Sequence, residues 1–257
     1  MSSLAGEVIL WASPRIPEHY LPCDGRLIAV EQYPDLFDLV GYSYGGSGAQ
    51  FALPTLTAPQ AANDQAGPGK NSLSYIIATD GLSGSQADFG NAAGLLGDVR
   101  FLVGPPVPDM SGARLADGWY LPVNLNFELF TLIGTTYGPV DTAFALPNVP
   151  SLMPAGGPGV PAYVVIQGYY PPPQNGSPLG DNLLGEIRLS AVSFTPGGWA
   201  PTGANELLPI SQNTALFSLL GTSFGGDGNQ TFGLPQLEPL ANVPHNIAVA
   251  GIYPSFS

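Results

Sequence analysis

The sequence predicts a mainly β, α+β fold with short helices, assembled from three tandem modules, and three observations predict it. First, one helix–loop–strand stretch recurs: LIAVEQYPDLFDLVGYSYGGSGAQFALP (27–54), LPVNLNFELFTLIGTTYGPVDTAFALP (121–147) and LLPISQNTALFSLLGTSFGGDGNQTFGLP (207–235). Its helix-ending glycines, Gly41, Gly134 and Gly221, are spaced by roughly 90 residues, the size of a small domain and too long for a solenoid turn. Second, a short apolar run opens and another closes each copy, too short for a helix but right for a buried strand. Third, 34 glycines and 28 prolines without a collagen period mean many turns between short elements.

Taken in order, Glu7 to Ala12 (EVILWA), bounded by Gly6 and Pro14, reads as the first opening strand; Gly97-Asp98-Val99-Arg100 and Gly185-Glu186-Ile187-Arg188 open the other two. Asp24-Gly25 and Asp117-Gly118, flanked by apolar residues, predict hairpin turns. The helix of the first copy is expected over about 32–40, with Pro34 in the first turn and Leu36, Phe37 and Val40 facing inward. Asn124, Ser211 and, less well, Glu31 are the expected N-caps. Phe37, Phe130 and Phe217 on the helices, and Phe51, Phe144 and Phe232 in the Phe-x-Leu-Pro stretches, form the repeating core together with Trp11 and Trp199. A Gly/Pro-rich surface loop is expected at 58–71, and closing strands at 74–79, 162–167 and 247–250. The domain reading is therefore module 1 at 1–80, a linker at 81–94, module 2 at 95–170, a stiffer Pro-rich linker at 171–182, and module 3 at 183–257.

Composition excludes several functions. A net charge of −13 with six Lys and Arg argues against nucleic acid and against polybasic attachment to a membrane. No run reaches the length of a spanning helix, and the N-terminus has no recognisable secretory signal peptide. A single cysteine, Cys23, cannot form an intramolecular disulfide and reads as a small buried hydrophobe. The two histidines, His19 and His245, lie in different copies, so no metal site and no cofactor is expected. Gly225-Gly226-Asp227-Gly228 follows a helix C-terminus, whereas a phosphate loop precedes a helix N-terminus. No nucleophile elbow is present, and no catalytic residue is assigned. The remaining binding candidates are aromatics in turns and post-helix loops: Tyr42, Tyr44, Trp119, Tyr120, Tyr137 and Phe224. They are suited to stacking on a sugar or to filling a subunit contact.

The modules resemble the phage tail collar domain of short tail fibres and microcystin-dependent proteins. The third is closest, through GEIRL, Pro196-Gly197-Gly198-Trp199, the 207–235 stretch and the final GIYPS; the first keeps Cys23-Asp24-Gly25, and the second keeps Asp117-Gly118. The resemblance implies a non-enzymatic structural protein of a phage tail, a phage-derived particle or an extracellular filament, located on a virion tail or at the cell surface. It would act by self-association or by contact with other particle subunits. A non-polymerising adhesin for a surface glycan or receptor is the alternative. Single-module relatives resemble parts of trimeric fibres, so three modules in one chain are expected either to imitate the trimer around a pseudo-threefold axis or to form a beaded row. Some fibre tips of this kind hold metals through His-x-His, which is absent here. The strand-like ends at 4–9 and 247–250 are expected to be open to strand addition by a neighbour. The post-helix loops differ, with Gly138-Pro139-Val140 in place of small residues, which favours structural use over an array of sugar sites.

Overall fold

Each copy enters its opening strand through the same tight turn. The amides of Glu7, Asp98 and Glu186 donate to the carbonyls of Leu4, Leu95 and Leu183 at 3.0, 3.1 and 3.1 Å. Gly6, Gly97 and Gly185 take the third position of that turn with φ of 80°, 84° and 89°, which a side chain would resist. These details come from a computed structural model describing residues 4–66, 72–81, 94–106, 108–138, 141–174, 176, 182–203 and 205–256. The linker expectations at 82–93, 175 and 177–181, the loop residues at 67–71, and Pro139-Val140 lie outside the described residues.

The fold is mainly β with three short α-helices among the described residues: α1 (Pro34–Val40), α2 (Phe127–Ile133) and α3 (Thr214–Leu220). The opening strands are Glu7–Trp11, Asp98–Leu102 and Glu186–Ser190. Each pairs antiparallel with the closing strand of its own copy, Ser74–Ala78, Ala162–Val165 and His245–Ala248 respectively. A short strand then covers the far side of each closing strand: Tyr20–Pro22, Ala113–Leu115 and Trp199–Pro201.

What unites the copies is how the opening strands use their remaining edge. The first strand pairs by its start with the end of the second (Val8 with Phe101, Glu7 with Leu102). Its own end pairs with the start of the third (Leu10 with Ile187, Trp11 with Glu186). The third strand's end completes the ring on the start of the second (Leu189 with Val99, Ser190 with Asp98). The same register is thus used three times in cyclic order, giving the chain a pseudo-threefold relation and one continuous sheet. A beaded row of separate modules is not the arrangement. The termini also differ from expectation: 4–9 is buried, with Val8 paired on both edges, while Ile247 and Ala248 are paired on both edges and the amides of Val249 and Ala250 donate to the Gly198 carbonyl, so neither end offers a free edge.

Segments that leave each copy cross to a neighbour. The carbonyl of Pro172 accepts from the Gly197 amide in the third copy, and the carbonyl of Ser255 accepts from the Glu18 amide in the first. Glu18 and Gly197 hold the same turn position, so the C-terminal segment repeats on the first copy what the second linker does on the third. The 58–66 stretch, expected as a plain surface loop, is another crossing. Asn63 donates to the carbonyls of Phe224 and Leu234 at 2.8 and 2.9 Å, while its own amide oxygen accepts from Gln236 N at 2.8 Å.

Locally the helices depart from expectation at their starts. In the second and third copies a 3-10 turn, Val123–Leu125 or Ile210–Gln212, precedes the helix. This moves the N-cap to Asn126 and Asn213, and to Tyr33 in the first copy; Asn124 and Ser211 fall inside the turn. The cap side chains do not bond the helix amides. Asn126 and Asn213 instead donate back to the carbonyls of Pro122 and Pro209, both at 3.0 Å. All three helices stop at the expected glycine, whose φ is 54° to 58° and whose amide still reaches the carbonyl of the helix phenylalanine. Asp24-Gly25 and Asp117-Gly118 are not hairpin turns: each Asp side chain accepts the amide two residues on, at 3.1 Å, its backbone bridges to Thr55 or Asn148, and the flanking strands do not pair with each other. The strand before each Asp-Gly joins the main sheet, while the one after it joins a small hairpin, Leu27–Ala29 with Gln50–Ala52 or Tyr120–Pro122 with Ala143–Ala145.

The core crosses copy boundaries. One cluster joins Val8 and Leu36 of the first copy with Val99 and Leu129 of the second and Leu189 of the third. Within each copy a fully buried phenylalanine (Phe51, Phe144, Phe232) meets the half-buried helix ring (Phe37, Phe130, Phe217) at 5.3, 5.5 and 5.5 Å between centroids, tilted by 58°, 50° and 53°. The six rings therefore occupy equivalent places, with the helix rings reaching the surface at one edge.

Replacing Asn63 by Ala removes three hydrogen bonds between the first and third copies. At about 1 kcal/mol net each, we expect a loss of about 2–3 kcal/mol. Urea unfolding should show a lower midpoint with an unchanged m-value; an unaltered midpoint would mean that the crossing contributes nothing.

Candidate functional site

The candidate aromatics separate into two groups. Tyr44, Tyr137 and Phe224 occupy the same post-helix position, and each packs on the next copy around the ring. Gly157 of the second copy lies so close over Tyr44 that a Cβ there would fall 2.6 Å from the ring. The Tyr137 hydroxyl donates to the carbonyl of Ala191 in the third copy at 3.4 Å. Phe224 is buried (1% exposed) and shares a cluster with Ala61 of the first copy. Burial pushes both tyrosine hydroxyls up to about 12. Phe224 is therefore corrected from a binding candidate to a core residue, and Tyr44 and Tyr137 seal joints within the chain.

Tyr42, Trp119 and Tyr120 do face outward. The Tyr42 hydroxyl donates to the Gly48 carbonyl at 2.6 Å and its ring stands edge-on to Phe37. The guanidinium of Arg114 lies 4.8 Å from the centre of the Trp119 ring. Tyr120 belongs to a set that sequence reasoning missed. It is the first residue of its hairpin strand, where Leu27 and Leu207 stand in the other copies, and the three are 51%, 54% and 48% exposed. The signal lay in the alignment of the repeats, where an apolar residue recurs one step outside the core pattern.

The remaining chemical candidates are occupied by the fold itself. The Asp227 carboxylate accepts from the amides of Asn229, Gln230 and Thr231 at 2.9, 2.7 and 2.8 Å, and these bonds lower its pKa to about 2. The carboxylate thus holds its own loop and takes the donors a phosphate would need. Cys23 is buried, and desolvation pushes its thiol well up, away from reactivity. His19 pairs with Asp80 at 2.7 Å on the surface. Among the described residues no group of three or more His, Cys, Asp and Glu is placed to hold a metal ion, and no helix is long and apolar enough to cross a membrane.

The least expected feature is at the centre of the ring. Glu7, Asp98 and Glu186, the first residues of the three opening strands, are buried, as is Arg100, and Arg188 is nearly so. The turn before each strand explains part of this. One oxygen of Glu7 and one of Glu186 accept from the amides of Leu4 and Leu183, at 3.3 and 3.2 Å, and Leu95 serves Asp98 in the same way. The arginines reach across copies: Arg100 lies 3.7 Å from Glu7 and Arg188 lies 3.5 Å from Asp98, while Arg188 also binds Glu186 of its own strand. An acid opening each apolar strand was visible in the sequence, but only as a landmark of the repeat.

The fold is a repeated β unit closed into a pseudo-threefold ring, with the Asp227 loop and the 58–66 stretch bonded into it. The sequence profile of the phage tail collar domain matches three times, at residues 6–58, 97–154 and 185–240, which together cover more than half of the chain. The chain belongs to the phage tail collar domain family, a tail-fibre type of structural protein, and carries three tandem copies of the domain. No curated protein and no solved structure gives a significant match.

His245 supplies a test of the interior. Burial lowers its pKa to about 4, so it is neutral in the fold at neutral pH and protonates more readily when unfolded. The stability this contributes is full above about pH 6.5 and is lost as pH falls toward 4, with an order of magnitude of about 3 kcal/mol. His245→Gln should flatten the pH dependence of urea unfolding across that window. An equal slope in both proteins would place the acid sensitivity elsewhere.

Proposed function

We propose that the protein is an assembly component of a phage tail, a phage-derived particle or an extracellular filament, acting through repeated contacts with other subunits or with further copies of itself. The observation that carries this reading is the triplet Leu27, Tyr120 and Leu207. Three large apolar residues at one register position, each about half exposed, form a threefold pattern that a symmetric neighbour can engage at three points. The chain is divided for this purpose into modules at 1–80, 95–170 and 183–257, with the ring as the unit that assembles. Its location follows from the role: a virion tail or another structure outside the cell.

The alternative is a non-polymerising adhesin for a surface glycan or receptor. It is favoured only by Tyr42, Trp119 and Tyr120, which are exposed but do not occupy equivalent loops. The equivalent loop aromatics, Tyr44, Tyr137 and Phe224, are spent on joints inside the chain, which supports assembly over an array of sugar sites. Neither nucleic acid nor membrane insertion has a place in the proposal, since the net charge is −13.

The experiment is sedimentation and negative-stain microscopy of the wild type beside the triple variant Leu27→Asp, Tyr120→Asp, Leu207→Asp. The substitutions sit at exposed positions and should leave the fold intact by circular dichroism. Wild-type material should form extended or stacked particles, and the variant should remain a single ring. Wild-type protein that stays monomeric at high concentration, while binding glycans on an array, would transfer the reading to the adhesin.

A further inference from the structure

The central charges do not balance, and the imbalance sits at one corner of the pseudo-threefold ring. At two corners an arginine from the middle of one opening strand faces the acid that begins the preceding copy's strand: Arg100 faces Glu7, and Arg188 faces Asp98. The third corner should bring a first-copy residue against Glu186. The matching position, however, is Ile9, and Arg188 turns back to serve Glu186 as well. Among the described residues, three carboxylates thus share two guanidiniums.

Little room is left for solvent to screen the difference, since the three carboxylates and Arg100 are buried and only the edge of Arg188 is exposed. The cavity at the centre has a volume of about 20 Å³, room for about one water molecule. It is lined by Glu7, Ile9, Arg100, Arg188 and His245 among others. A buried carboxylate left without a counter-charge neutralises by taking a proton rather than staying ionised. A metal cation is the less suitable occupant, because the Nε and Nη1 of Arg100 are buried beside the cavity without hydrogen-bond partners and would repel it, while Oε1 of Glu7 is an unused acceptor there.

We propose that the three carboxylates and two guanidiniums at the centre of the ring jointly bind one proton at neutral pH, so that closing the ring takes up a proton from solution. Among the described residues, groups from the packed elements do not supply the missing charge. His245 is held neutral by burial, and Tyr75, Trp199 and Asn246 are uncharged neighbours of the cavity or of Arg188. For Asp98 and Glu186 the direction agrees: burial raises both carboxyls, against the pull of Arg188. A carboxyl raised by folding stabilises the fold at low pH, and that contribution is lost as pH climbs through the raised value. This is the reverse of the His245 effect and lies on its alkaline side.

The test supplies the missing guanidinium. Ile9→Arg should balance the cluster, and Ile9→Met serves as an uncharged control of similar length. Potentiometric refolding between pH 7.5 and 8, above the range in which His245 releases a proton on folding, should show uptake of about one proton for wild type and Ile9→Met, with the folding equilibrium constant falling about tenfold per pH unit. Ile9→Arg should take up none and show a flat profile. Should Ile9→Arg not fold, Asp98→Asn removes one negative charge while keeping an oxygen for the Leu95 amide, and it should abolish the uptake too. Wild type refolding without proton uptake, or uptake unchanged in Ile9→Arg or Asp98→Asn, would overturn the proposal.

Discussion

Everything in this fold depends on the shared edges of three five-residue strands. Each opening strand has its own closing strand on one side, but its other edge is satisfied by two different neighbours, half by each. An isolated copy would expose that edge, together with the apolar residues that alternate along it. The exposed N–H and C=O groups would template pairing with any passing strand. Ring closure removes the edge altogether, which is the barrel solution reached here with strands from three repeats.

Closure also explains where the polar groups lie. The acid at the start of each strand accepts the amide of its own entry turn, so it is held by its own copy as well as by any arginine. Closing the three strands on one another buries their carboxylates in one charged cluster with Arg100 and Arg188. Desolvating those charges is costly, and the arginines offset part of the cost. Removing one partner from such a cluster is damaging because it strands the other. The centre therefore specifies which surfaces meet more than it adds to stability.

Much of this was legible in the sequence. The repeat of Gly41, Gly134 and Gly221 and the buried Phe51, Phe144 and Phe232 follow local rules of helix termination and apolar periodicity and lie where their pattern implies, whereas the helix rings Phe37, Phe130 and Phe217 are only half-buried beside them. The failures share one cause: the competing partner is distant in sequence. The strands on either side of Asp24-Gly25 read as a hairpin because nothing local shows that Leu21 pairs with Ile77 and Ile28 with Phe51. Asn63 reads as loop because its partners lie more than 160 residues away. Phe224 reads as a loop aromatic because the surface that buries it belongs to another copy. Polar and aromatic residues in a repeat protein must be judged against the neighbouring repeat as well as their own.

Joining the copies in one chain changes what the ring can contain. In a homotrimer every corner is identical, so a third arginine would be obligatory or all three would be lost. In a single chain the corners evolve separately, and linkage keeps the effective concentration of the copies high enough to tolerate an imperfect corner. Ile9 beside Arg100 and Arg188 is one product of that freedom; the 58–66 crossing, with its fully bonded Asn63 amide, is another. The second tightens the joint between the first and third copies near the end of the ring where the first leaves charge unmatched. Those two copies are separated in sequence by the whole of the second, and the joint between them is made by crossing segments, through the backbone bonds of Ala62 to Gln236, Gln65 to Ser223 and Glu18 to Ser255 as well as through the Asn63 side chain.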